Sequence, residues 1–215
     1  MLHASTRCCT LGRFFSVNRD IFLRSLCVMA VMLFFTATGA RSGNMTLAVN
    51  ALFMQLYLLY SHFMDGFAYA GEALVGKYAG AADKRSLRRC VSHLFAWGWS
   101  LAAIFAFAYG VFNHEVMSLF SDKPEVVAFA AAYRWWIALA PIAGMAAFIW
   151  DGVFVGLTAT RQMLLSLAGA TAVYFTIYFL FPLADANDCL WTAFLAYLAV
   201  RGVILWFCFA RENRY

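Results

Sequence analysis

Asp65, Glu72, Asp151 and Arg201 stand inside long apolar runs, where charge is expensive and therefore suggests work to be done. Asp65 and Glu72 are seven residues apart, about two helical turns, so they share one face. His62 and Tyr69 flank Asp65 at helical spacings, within reach of a hydrogen bond to it. The pair reads either as a proton or cation site, or as two solvated carboxylates at the membrane boundary beside a basic loop. Asp151 lies in Ile149-Trp150-Asp151-Gly152, two to three turns before Arg161. A carboxylate there either ionises beside a cation or stays protonated with a raised pKa. Ion-coupled antiport needs both options, and a structural partner for an arginine needs only the first. Arg201 stands near the middle of the last apolar run, where an unpaired guanidinium costs several kcal/mol. Its available counter-charges are Asp65, Glu72 and Asp151. Arg134 lies nearer the opposite membrane face, where its head can snorkel to water.

Polar but uncharged groups are scarcer. Asn50 and Gln55 fall within an apolar run and serve either as interhelical glue or as the lining of a substrate path, to which Tyr69 also belongs. Gly152 and Gly156 form a G-x-x-x-G pair, as do Gly76 and Gly80, and small residues at that spacing let helices approach closely. Pro141 is expected to kink or break its helix. Trp97, Trp99, Trp135, Trp136, Trp191 and Trp206 suit interface anchoring or packing. No enzyme motif is present: there is no G-x-S-x-G, no H-E-x-x-H and no Walker loop. His3, His62, His93 and His114 are scattered, and the six cysteines contain no C-x-x-C. The adjacent Cys8 and Cys9 are poorly placed to pair with each other. These features predict a non-enzyme with no metal and no bound cofactor.

The elements that must carry these groups follow from composition. Of 215 residues, 64% are hydrophobic and 13% charged, whereas a soluble domain is about 45–50% apolar and about 25% charged. A bilayer accommodates the excess, and the runs are apolar all round, which favours helices over a barrel. Six spans emerge, at about Ile21–Ala40, Met45–Gly80, Val91–Phe112, Val126–Gly156, Met163–Phe181 (closed by Pro182) and Leu190–Ala210. Residues 1–18 form a basic leader without an apolar period, and 211–215 a short tail. Arg19 and Arg24, Leu26 to Phe35 and Thr38-Gly39-Ala40 imitate a secretory signal, but the leader is too long for one. One side collects Arg7, Arg13, Arg19, Arg24, Lys77, Lys84, Arg85, Arg88, Arg89, Arg161, Arg211 and Arg214, and the other only Arg41 and Lys123. The positive-inside rule puts the first side, with both termini, in the cytoplasm; the expected setting is a plasma (inner) membrane. The net charge of +5 has anionic lipid headgroups as its partner, not nucleic acid, because no basic stripe interleaves with aromatics.

Three strings go further. Asn18-Arg19-Asp20-Ile21-Phe22-Leu23-Arg24 opens the first span. Phe63-Met64-Asp65-Gly66-Phe67-Ala68-Tyr69-Ala70-Gly71-Glu72-Ala73-Leu74 lies in the second, and Trp150-Asp151-Gly152-Val153-Phe154-Val155-Gly156-Leu157-Thr158-Ala159-Thr160-Arg161 ends the fourth. From about residue 14 onward the chain resembles the carboxy-terminal half of a multidrug and toxic compound extrusion (MATE) transporter of the DinF-like branch. The resemblance implies an all-α fold, one six-helix lobe of a two-lobed antiporter that exchanges Na+ or H+ for organic, drug-like compounds. Some family members couple through acids in helices seven and ten. Here Asp20 is only at the entrance of the helix-seven equivalent, and Asp151 looks one turn nearer the cytoplasm than the helix-ten acid. The other lobe would come from a separate six-helix chain or a second copy. A truncated or split half-transporter, inactive alone and serving only as an assembly partner, is the alternative.

Overall fold

The computed structural model describes residues 2–180 and 185–212, with side chains described over 18–180 and 185–211. The side chains of Cys8 and Cys9, and Pro182 and the tail residues 213–215, lie outside what is described. Among the described residues seven helices follow one another: α1 Leu2–Arg41, α2 Asn44–Gly80, α3 Lys84–Val111, α4 Asn113–Ser118, α5 Pro124–Gly156, α6 Thr160–Leu180 and α7 Ala186–Glu212. No strand occurs among the described residues. All but α4 are long and apolar enough to cross a membrane.

The six expected spans are therefore present, with differences at their ends. The basic leader is the start of α1, which runs unbroken from Leu2 into the first span; no proline interrupts it. The basic loop is shorter than expected. Asp83 caps α3 by accepting a hydrogen bond from the Ser86 amide at 3.0 Å, so Lys84 to Arg89 form the first turns of the helix. That contact with Ser86 also holds the Asp83 carboxyl below its ordinary range. The Asn113–Glu125 loop contains the short helix α4. α5 starts with Pro124 in its first turn, where a missing N–H costs nothing, and continues through Pro141 without a break. The Pro141 carbonyl accepts a hydrogen bond from the Tyr60 hydroxyl of α2 at 3.0 Å.

The core sits around α5. In its apolar window 67% of the residues are buried, against 11% in α1, so α5 is the axis and α1 the periphery. α2, α3 and α7 pack directly on α5, while α6 packs on α7 and α1. The α2–α5 crossing depends on missing side chains. A Cβ at Gly152 would overlap the Ala68 carbonyl oxygen, and one at Gly156 would sit 2.7 Å from the Glu72 carbonyl oxygen. The Gly152–Gly156 pair thus lets two backbones touch, as small residues do between membrane helices. The second glycine pair divides: Gly76 faces Gly156, but Gly80 has nothing within 4 Å, because α2 has passed the crossing by then.

Candidate ion and substrate site

The close α2–α5 crossing brings the apolar-run charges together. Asp151 is on α5, one residue before Gly152, and so points into the space beside the crossing. Arg24 of α1 donates from Nη2 to Asp151 Oδ2 at 2.7 Å, and Arg201 of α7 donates from Nη2 to the same oxygen. One carboxylate oxygen therefore joins three helices. Arg201 and Asp151 keep only 10% and 14% of their side-chain surface exposed, so their attraction is weakly screened; Arg24, at 31%, reaches the cavity.

The triad forms one wall of a cavity of about 450 Å³ among α1, α2, α5 and α7. Asp65, Glu72 and Tyr69 line it from α2, with Tyr57 and Ser61 on the same stripe, and Tyr197 faces in from α7. Asp65 is half-buried and Glu72 exposed, and neither has an ion pair among the described residues. Of the three counter-charges open to Arg201, Asp151 is the one taken. His62 does not reach Asp65: it is exposed, and its Nδ1 lies 2.6 Å from the Leu58 carbonyl of its own helix.

Asn50 and Gln55 lie outside this cavity. Asn50 is buried; its Nδ2 donates to Asn187 Oδ1 at 2.7 Å and its Oδ1 accepts from Trp191 Nε1 at 2.9 Å, which ties α2 to α7. Gln55 is on the exposed side of α2, because it is out of phase with the Phe53, Leu56, Tyr57 face. Arg134 is half-buried, its guanidinium 5.0 Å from the Trp135 ring. Asp20 is buried but pairs with its neighbour Arg19 at 3.1 Å, outside the cavity lining.

Sequence reasoning missed Arg24, Tyr57 and Tyr197. Arg24 was counted with the cytoplasmic charges, yet it falls inside the first apolar window, Asn18–Arg41. Tyr57, Ser61, Asp65, Tyr69 and Glu72 recur at three- to four-residue steps, a stripe visible in the sequence once Asp65 is taken as its centre.

Residues 21–181 match the family model described as MatE. The chain belongs to the MatE family. Its members are transporters, not enzymes. Arg24, Asp65, Glu72 and Asp151 all fall within the MatE match, and Arg201 lies beyond it. The chain is similar to DNA damage-inducible protein F of Escherichia coli (strain K12), 32% identical over 90% of this chain and 42% of that protein. It is also similar to Protein DETOXIFICATION 43 of Arabidopsis thaliana, 23% identical over 89% of this chain and 36% of that protein. Protein DETOXIFICATION 42 of the same plant is 21% identical over 95% of this chain and 40% of that protein. The chain spans less than half the length of each.

Proposed function

We propose that this chain is one lobe of a secondary antiporter that uses a Na+ or H+ gradient to export organic, drug-like compounds. The observation that carries the reading is the gathering of Asp65, Glu72, Asp151, Arg24 and Arg201 on one cavity between apolar helices. Asp151 is the coupling carboxylate. When it is ionised, both arginines hold it and the cavity is latched across α1, α5 and α7. A proton or sodium ion on Asp151 removes the charge that holds them, so Arg24, the more exposed partner, lets α1 move. Asp65, Glu72 and Tyr69 offer two carboxylates and an aromatic face to an organic cation while Asp151 is ionised and holds both arginines, and the freed arginines compete for those carboxylates once it is neutralised. The lobe works against a second six-helix lobe, supplied by another chain or a second copy, and rocks against it to alternate access. The lysine and arginine distribution supports a plasma (inner) membrane setting with both termini cytoplasmic.

One observation favours a second reading, a half-transporter that moves nothing alone: the chain covers 42% of the E. coli relative. Native mass spectrometry of the purified chain, followed by export from proteoliposomes under a pH or sodium gradient, separates the two. Antiport predicts gradient-dependent export by a two-lobed species, lost in Asp151→Asn. Export that ignores Asp151→Asn sinks the coupling role, and a monomer without export leaves the half-transporter reading.

A further inference from the structure

A second cleft lies between α2 and α3, away from the triad, with a volume of about 510 Å³. Its polar and apolar ends are ordered along α3. Arg89, His93 and Trp97 follow one another at four-residue steps on one face, with Ser86 one turn before Arg89. Phe67 and Tyr78 of α2 complete the walls. Arg89, His93 and Trp97 are all exposed, Trp97 to 66%. Beyond the cleft the outer face of α3 continues apolar, with Ile104, Phe107 and Val111 each at least 60% exposed, so the cleft opens onto the surface that acyl chains cover.

The order of chemistry matches one amphiphile. Cations and hydroxyls stand at the helix end beside the α2–α3 turn, an imidazole follows, and an indole lies deepest, where tryptophan favours the interfacial layer. Between Lys77 and Arg89 the chain carries Lys77, Lys84, Arg85, Arg88 and Arg89 against the single carboxylate Asp83, so an anion is favoured there. We propose that the α2–α3 cleft is a binding site for an anionic phospholipid, with Arg89 and Ser86 on the phosphate and Trp97 and Phe67 along the first acyl segment. Basic pockets between membrane helices take anionic headgroups for this reason.

The test is native mass spectrometry of the purified full chain in micelles doped with phosphatidylglycerol or phosphatidylcholine. The expected result is preferential retention of phosphatidylglycerol, weakened about fivefold by Arg89→Gln, as one interfacial cation would contribute. Trp97→Ala should weaken it as well, and this keeps the test valid should Arg89→Gln fail to fold. Arg85→Gln, outside the cleft lining, should change little. Equal retention of phosphatidylcholine overturns the site. So does equal loss in Arg85→Gln, which means diffuse surface charge, or full competition by inorganic phosphate, which means no acyl contact. A second copy of the chain found cross-linked through Trp97→Cys also overturns it.

Discussion

Replacing Gly152 by alanine tests the geometry on which the site depends. A Cβ there would lie 2.7 Å from both the carbonyl carbon and the Cα of Ala68, where ordinary contact begins near 3.4 Å. The obstacle is backbone, so no rotamer change relieves it, and α2 and α5 must part by more than half an ångström. Overpacking of this kind costs about 1–3 kcal/mol, and a clash with fixed backbone belongs at the upper end. Alanine returns about 1 kcal/mol of helix propensity. The net loss is then about 2 kcal/mol, or roughly 4–8 °C in melting temperature for a chain of this size.

The assay is thermal unfolding of the detergent-purified protein followed by tryptophan fluorescence, with Gly66→Ala and Gly80→Ala beside it. Neither control position has anything within 4 Å of its added Cβ, so both should melt at or slightly above the parent temperature. Gly156→Ala should fall with Gly152→Ala, because its Cβ meets the Glu72 carbonyl oxygen at 2.7 Å and the Gly76 amide nitrogen at 3.1 Å. If Gly152→Ala melts with the controls, α2 and α5 do not cross where described, and Asp65 and Asp151 do not share a cavity.

Asp151→Asn removes the one carboxylate that both guanidiniums contact. Removing one partner of a buried pair costs about 3–5 kcal/mol, and the solvent at Arg24 places this case near 3 kcal/mol. The same melts should therefore rank Asp151→Asn as more damaging than Arg24→Gln, which leaves Arg201 and Asp151 paired; the reverse order would refute the shared latch. Asn50→Leu strands Trp191 Nε1 and Asn187 Oδ1 in the core, for a loss of about 2 kcal/mol or more. Since Asn50 lies outside the cavity, export per folded molecule in proteoliposomes should be unchanged, and a changed ion or substrate dependence would return it to the transport path.

The spans were legible because lipid solvation imposes a crude rule, about twenty apolar residues per crossing, that composition alone satisfies. Helix ends were less legible, since they depend on single contacts. The start of α3 is set by one carboxylate, Asp83, meeting one amide, and periodicity does not register it. Within the site, Asp65, Glu72 and Asp151 announced themselves as charges among apolar residues. Arg24 did not, because an arginine near the start of a span has the same neighbours whether it snorkels to water or turns inward. Asn50 and Gln55 look alike in the sequence and differ only in helical phase: five residues turn Gln55 about 140° from Asn50, from the α7 contact to the exposed face.

The triad has an electrostatic consequence that belongs to none of its members alone. Two arginines on one carboxylate leave an excess positive charge, and the remaining acids of the cavity, Asp65 and Glu72, are on α2. Within the antiport proposal, α2 therefore supplies the balancing charge while α1, α5 and α7 supply the latch. An organic cation drawn to Asp65 and Glu72 removes that balance for Arg24 and Arg201 and so strengthens their hold on Asp151. A proton or sodium ion on Asp151 frees the arginines to pair with Asp65 or Glu72, and so weakens the cation's site. Ion and substrate would then exclude each other through a shared charge count, without having to occupy the same atoms.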